Sequence, residues 1–326
     1  MTAPVVFILG CSRSGTTLLR RIVDAHSQIA ITDEAHWVVR FFQNHRGVTR
    51  NGLVTEELIP LLLCERSFIR MGIGPEQLAT LMERGRPISY STFVTTLFDL
   101  YGQGKAKSLV GDKTPNNVLS INTLNTLWPG TRFVHLIRDG RDVGLSLLAW
   151  EWPKKFAATL STWKQDPVST VALWWEAHVR RGRESGNLLG PKLYYELRYE
   201  SLVAQPRAEC AAFCDFLELT YDEAMLRFYE SRPNVCSDQG EDHPWMPITS
   251  GLRNWRTQMA GEDLERFEAA AGGLLDELGY ERAVPHPRPE SLEHAAKIRE
   301  LLAGDPKWIK HFGIRAAKGV SERVVA

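Results

Sequence analysis

The sequence predicts a three-layer α/β fold, in which helices cover both faces of a central, mainly parallel sheet. Two apolar runs, at 4–9 and 131–137, suit strands that are buried on both faces of such a sheet. Each run ends in a loop that contains glycine and polar residues, and a helical pattern follows each loop. Strands that alternate with helices favour parallel pairing, because a helical crossover returns the chain to the same end of the sheet.

Shorter patterns complete the predicted topology. Residues 40–105 carry helical patterns broken by Gly and Pro, which predict a large helical insertion. We expect a single domain over 1–326 that contains this insertion and ends in a peripheral tail at 285–326. The other predicted elements are strands at 29–32, 108–115 and 192–202, and helices at 169–186, 206–218 and 221–230.

Composition narrows the possible partners. Of the 326 residues, 44% are hydrophobic, and 39 basic side chains balance 39 acidic ones, so net charge gives no argument for a nucleic-acid partner. The first apolar run is too short for a signal peptide or a membrane anchor, so we expect a cytoplasmic protein that does not span a membrane. Cys210 and Cys214 have helical i,i+4 spacing, but without a second ligand pair they favour buried, reduced thiols over a metal site.

The stretch FILGCSRSGTT, residues 7–17, predicts a phosphate-binding loop. Gly10 and Gly15 have the spacing of the nucleotide-binding pattern G-x-x-x-x-G-K-[ST]. Thr16, however, stands at the position of the lysine that reaches the β- and γ-phosphates. The ligand is therefore expected to need the loop but not the lysine.

This loop offers more anion donors than an ordinary turn requires. Between a strand and a helix, the backbone amides of residues 13–17 would face one anion at the helix N-terminus. The Arg13 guanidinium and the Thr16 and Thr17 hydroxyl groups add donors. A sulfuryl group carries less negative charge than the γ-phosphate of ATP, which needs metal ions for its transfer. The hypothesis from charge counting is that a loop with one or two cationic side chains and no metal suffices for a sulfuryl group.

A second motif, RDGRDVGLS, follows the strand predicted at 131–137. Arg138 ends that strand, and Ser146 lies one to two turns into the next helix. Both side chains can face an anion at the carboxyl edge of the sheet, where such sheets bind ligands. The alternative is that Arg138 pairs with Asp139 or with another surface acid.

Together these motifs resemble those of sulfotransferases that use 3′-phosphoadenosine 5′-phosphosulfate (PAPS). The nearest branch contains protein-tyrosine sulfotransferases and many bacterial sulfotransferases, whose loop reads P-R-S-G-T-T-L-[ML]-R, followed by D-A-H-P. Ser12 and Ser27 replace the two prolines, and Trp150 stands where relatives often have an arginine. The similarity covers 4–36, 108–150, 192–206 and, more loosely, 250–280.

The resemblance implies a P-loop NTPase-like fold and a metal-free, in-line sulfuryl transfer from PAPS to an acceptor hydroxyl, with adenosine 3′,5′-bisphosphate as product. It implies that Glu34 is the general base, and that Lys113 and Arg13 stabilise the charge on the departing phosphate. Asp33 is the alternative base, and the two acids also fit an acidic pair at a helix N-terminus, which the helix dipole favours. His36 is a possible base too, but the histidine motif of cytosolic sulfotransferases does not match its position, so we expect it to line the pocket or to pack. The implied cofactor ligands are Arg13, Ser14, Gly15, Thr16, Thr17, Arg138, Ser146, Tyr199 at the adenine end, and Arg253.

The acceptor stays open among carbohydrate, lipid, secondary-metabolite and tyrosine hydroxyls, and the neutral chain favours the first three. Trp37, Phe41 and Phe42 either line an acceptor pocket or form a helix packing face. One alternative function is a small-molecule kinase with an atypical loop. Such a kinase needs Mg²⁺ and an acid of the Walker-B type at the end of a buried strand. After the strand predicted at 131–137, Asp139 is the only acid on offer. The other alternative function is a non-catalytic nucleotide-binding module, which needs no base.

Overall fold

The structure is a computed structural model, and it describes residues 5–82, 87–149, 160–230, 247–249 and 253–312. The predictions that concern Trp150, residues 250–252 and the end of the tail at 313–326 lie outside the described residues. Contacts divide the chain into two compact units. The first lies within Met1–Arg138 and Val179–Leu252, and the second within Asp139–His178 and Arg253–Ala326.

Five parallel strands form the central sheet of the first unit, in the order β2-β3-β1-β4-β5. The register pairs Gly10 with Leu136 and Asp33 with Lys113. The last predicted strand is shorter than expected, because the chain becomes helical at Tyr199. The strands are β1 (Val6–Gly10), β2 (Ile29–Asp33), β3 (Leu109–Lys113), β4 (Arg132–Ile137) and β5 (Tyr194–Arg198).

The described helices follow the predicted helical patterns. Within the described residues, no helix is both long enough and apolar enough to cross a membrane. Two segments, Pro115–Ser120 and Glu223–Glu230, are 3-10 helices. The α-helices are α1 (Thr16–Asp24), α2 (His36–Gln43), α3 (Leu58–Leu63), α4 (Arg66–Ile69), α5 (Pro75–Met82), α6 (Tyr90–Gly104), α7 (Ile121–Leu127), α8 (Gly140–Ala149), α9 (Pro167–Asn187), α10 (Tyr199–Ala204), α11 (Pro206–Phe216), α12 (Trp255–Gln258), α13 (Gly261–Glu277), α14 (Pro289–Gly304) and α15 (Pro306–Phe312).

Two apolar cores lie on opposite faces of the sheet, because successive strand residues point to opposite sides. Val6 and Ile8 of β1 pack in the core that α1, α10 and α11 cover. Phe7 and Leu9 pack in the other core, which helices α2 to α7 cover. The sheet therefore has helices on both faces, as the three-layer prediction requires, and the helical block at 40–105 supplies much of one layer.

We predict that Gly10→Ala lowers the free energy of unfolding by about 2 kcal/mol, the usual cost of overpacking. An added Cβ would lie 2.5 Å from the backbone oxygen of Leu136 in β4, which cannot move without breaking the sheet register. Gly273→Ala is the matched control. Gly273 is exposed within α13 and a Cβ there meets nothing, so that variant should gain up to about 1 kcal/mol. Urea unfolding measures both, and equal effects would contradict the steric explanation.

Candidate active site

Every strand of the sheet ends beside a residue that the sequence motifs singled out. Residues 13–17 follow β1, Glu34 follows β2, and Lys113 is the last residue of β3. Arg138 follows β4 and Tyr199 follows β5. Because the strands are parallel and in register, these positions lie along one edge of the sheet.

The loop after β1 has the backbone of an anion-binding turn. Gly15 caps α1 with φ of 94°, and a Cβ at this position would lie 2.5 Å from the Tyr199 ring, so only glycine fits. Arg13 also has a left-handed backbone, with φ of 73°. Ser14 is 1% exposed, and its hydroxyl has no hydrogen-bond partner among the described residues. A buried hydroxyl in such a loop is available as a donor to an anion.

Lys113 lies between the loop and the acids that follow β2. Its ammonium is 2.8 Å from Glu34 Oε1, 3.6 Å from Asp33 Oδ1 and 3.4 Å from Thr17 Oγ1. The side chain is only 2% exposed, so these oxygens replace the water that a lysine normally keeps. The structure therefore brings a loop residue, a cation and a carboxylate into direct contact.

Glu34 is held ionised by its neighbours. Burial alone would raise its pKa, but the hydrogen bond from His36 and the charge of Lys113 outweigh burial and lower the pKa to about 2. His36 Nε2 lies 3.1 Å from Glu34 Oε2, and the His36 side chain is 50% exposed. His36 thus contacts the candidate base and does not pack in the core.

Asp112 supports this arrangement, although the motifs did not single it out. Its Oδ1 accepts hydrogen bonds from Thr32 Oγ1 at 2.7 Å and from the Ala35 amide at 3.2 Å. These bonds flank Glu34, whose φ of 24° is strained for a residue with a side chain. The sequence signal for this role of Asp112 is its position directly before Lys113 at the end of a strand. That position alone does not distinguish a residue that supports the site from an ordinary strand residue that faces the core.

Arg138 stacks on the ring of Tyr199. Its guanidinium lies 4.2 Å from the centre of the Tyr199 ring, and the side chain is buried. Asp139 pairs with Arg141, with 2.8 Å between Nη2 and Oδ2.

The second unit holds the other two candidate cofactor ligands. Ser146 is buried on α8, and Arg253 is half-buried directly before α12. Arg253 is the first described residue after the gap at 250–252. The structure places these two residues on neighbouring elements of one unit, since α8 and α12 are in contact.

Other expectations are decided by burial. Trp37 and Phe41 are fully buried in the core under the sheet, so they form a packing face and not an acceptor pocket. Cys210 and Cys214 are buried free thiols, as expected.

Within the described residues no cluster of three or more His, Cys, Asp or Glu has the geometry of a metal site. The helical block adds one residue near the site that the motifs missed: Arg70, whose Nη2 lies 3.1 Å from Asp33 Oδ2.

Comparison with known proteins identifies the family. The model of the sulfotransferase family matches residues 4–223. The chain is 23% identical to protein-tyrosine sulfotransferase A of Caenorhabditis elegans, over 95% of this chain and 76% of that protein. It is 24% identical to nodulation protein NoeE of Sinorhizobium fredii, over 90% and 70% of the two chains. The sulfotransferase domain of the Synechococcus PCC 7002 olefin synthase has the same fold, with a TM-score of 0.57, 21% identity, and 86% and 97% of the two chains covered. The chain belongs to the sulfotransferase family, and it is a transferase with a P-loop NTPase-like fold.

Proposed function

We propose that the chain moves a sulfuryl group from PAPS to an acceptor hydroxyl, by in-line transfer without a metal ion. The observation that carries the proposal is the meeting, at one sheet edge, of the 13–17 loop, the Lys113–Glu34 pair and Arg138. A donor loop, a cation and a carboxylate in contact are the groups that sulfuryl transfer to an alcohol needs.

The loop fits the phosphosulfate end of this donor. The backbone amides of 13–17, the Ser14 hydroxyl and the Arg13 side chain would hold its oxygens, helped by Thr16 and Thr17. The unsatisfied Ser14 hydroxyl supports this fit, because it offers a buried donor at the anion position. At the other end, Arg138, Ser146 and Arg253 are proposed for the 3′-phosphate, and Tyr199 for the adenine.

Lys113 is proposed to stabilise the departing phosphate oxygen. When bound, the donor supplies an activated sulfuryl group with a phosphate leaving group. Lys113 reaches Thr17 of the loop as well as Glu34, so its ammonium lies at the boundary of the phosphate-binding loop and the base. Arg13 supplies a second positive charge on the loop, which together with Lys113 takes the place of Mg²⁺.

Glu34 is proposed as the group that receives the acceptor proton. With a pKa of about 2, Glu34 is a weak base while it is paired with Lys113. If Lys113 turns toward the leaving phosphate, Glu34 loses its closest cation, and its pKa rises toward the range of an effective base. His36 is the second candidate, because it contacts Glu34 and its ring is accessible to solvent.

We propose a small-molecule or glycan acceptor with a carbohydrate, lipid or secondary-metabolite hydroxyl. The neutral net charge of the chain favours these acceptors over an acidic, tyrosine-containing segment, because such a segment binds best to a positively charged groove. The similarity to protein-tyrosine sulfotransferase A keeps tyrosine as the other candidate. We propose a cytoplasmic location for the enzyme.

Calorimetric titration tests the donor site. We expect adenosine 3′,5′-bisphosphate to bind more tightly than ATP with Mg²⁺. Arg138→Ala should weaken bisphosphate binding about 10- to 100-fold, the effect of lost hydrogen bonds to a charged group. Arg207→Ala is the control, because Arg207 is an exposed arginine on α11 that pairs with Glu223, and it should bind like the parent chain. Metal-dependent ATP binding without any response to the bisphosphate would instead support the kinase.

Glu34→Gln separates the enzyme from a binding module. The amide keeps the shape of the side chain but accepts protons poorly, so turnover should fall about 100-fold or more while bisphosphate affinity is kept. Glu65→Gln is the matched control; Glu65 pairs with Arg40 at the protein surface, and its loss should leave turnover unchanged. Unchanged turnover in Glu34→Gln would remove Glu34 from its role and favour His36.

A further inference from the structure

Arg141 is a buried cation in the second unit, and four hydrogen bonds from its guanidinium hold it to the protein. It is 1% exposed. Its Nε and Nη2 donate to the two oxygens of Asp139, at 3.0 and 2.8 Å. Its Nη1 donates to Glu268 Oε1 at 2.6 Å and to the Glu281 carbonyl at 2.8 Å. These bonds give one rigid orientation to the guanidinium at the first turn of α8.

Trp255 packs directly on this guanidinium. The Arg141 guanidinium lies 3.6 Å from the centre of the indole ring, and that of Arg256 lies 4.4 Å from it. The indole Nε1 donates to Asp139 Oδ2 at 3.0 Å, and the Trp255 amide donates to Asp142 Oδ1 at 2.9 Å. One residue at the start of α12 is therefore fixed to three residues of the α8 N-terminal region.

The residues of the motif RDGRDVGLS fall into two groups, those that contact Trp255 and a candidate ligand of the cofactor. Asp139, Arg141 and Asp142 face Trp255, which leaves Ser146 as the ligand candidate of α8. Ser146 lies four residues after Asp142, so it projects from the same helix face one turn further on. Arg253 lies two residues before Trp255, within about 7 Å along the chain. The Trp255 contacts thus hold the start of α12, two residues after Arg253, against the first turn of α8.

We propose that Trp255 is a positioning residue for recognition of the 3′-phosphate. It holds Arg253 at the face of α8 that carries Ser146, so that the two donors address one anion. The inference rests on the proposed function, in which these two residues bind the 3′-phosphate. It assigns to Trp255 the preference for a 3′-phosphorylated nucleotide over one that lacks this group.

The test compares two nucleotides that differ only in the 3′-phosphate. Adenosine 3′,5′-bisphosphate and adenosine 5′-monophosphate are titrated by calorimetry into the full chain and into Trp255→Phe. Phenylalanine keeps a ring on Arg141 but loses the Nε1–H donor, and Asp139 stays paired with Arg141, so the variant should fold. We expect bisphosphate affinity to fall about tenfold and monophosphate affinity to stay the same, so that the selectivity ratio falls by the same factor.

Trp128→Phe is the matched control. Trp128 is also buried and also donates its indole Nε1–H, at 2.8 Å to Thr95 Oγ1, in the core under the sheet. Its replacement removes the same kind of bond and should leave the selectivity ratio unchanged. If Trp255→Phe fails to fold, Asp142→Ala removes the acceptor of the Trp255 amide and should give the same loss of selectivity.

The outcomes separate the two proposals. An unchanged selectivity ratio in folded Trp255→Phe overturns the positioning role while the proposed function stands. Equal loss of affinity for both nucleotides also overturns it, because that result means a general structural effect. A parent chain that does not prefer the bisphosphate over the monophosphate overturns the proposed function itself.

Discussion

Parallel pairing of the strands is the constraint on which the candidate site depends. A parallel sheet brings every carboxyl end to one edge, so segments distant in the sequence supply neighbouring groups without long loops. The register of the strands determines which groups meet at this edge; for example, it places Asp33 of β2 opposite Lys113 of β3. A shift of β3 by one residue would exchange the directions of Asp112 and Lys113, and would place the carboxylate where the ammonium now lies.

The electrostatics of the site are local and balanced. A buried ammonium such as that of Lys113 is costly unless oxygens replace its water, and Glu34, Asp33 and Thr17 provide them. The second unit repeats this pattern with Arg141 between Asp139 and Glu268. The protein therefore contains two clusters of paired opposite charges. Because acids and bases balance within the composition, the net charge does not reveal either cluster.

Local patterns predicted what depends on local structure. Strands β1 and β4 and the loop at 13–17 could be found from the sequence, because an apolar run followed by glycine and a helical pattern identifies each by itself. The bond between Thr32 and Asp112 joins residues 80 positions apart, and the pair of Arg70 with Asp33 joins two separate elements. The first contact depends on which strands pair and in which register, and the second on how the helical layer packs on the sheet; periodicity encodes neither.

Burial also decided between alternatives that the sequence left equal. Trp37 and Phe41 fit a pocket or a packing face equally well by spacing, and only their complete burial selects the second. Tyr199 was expected in a strand but begins a helix, and this places its ring against Gly15 and Arg138. The loop and the arginine are thereby joined by one aromatic side chain.

The contact between Lys113 and Glu34 constrains how these two residues can change in evolution. Loss of Glu34 alone would leave a buried ammonium with too few oxygens, and loss of Lys113 alone would leave a carboxylate without its closest cation. Replacement of Glu34 alone is therefore costly to the fold, whereas the Glu34 side chain, which is 38% exposed, can regain water when Lys113 is lost. A descendant that abandons catalysis would have to lose Lys113 before Glu34 or together with it, so Glu34 should persist for as long as Lys113 does.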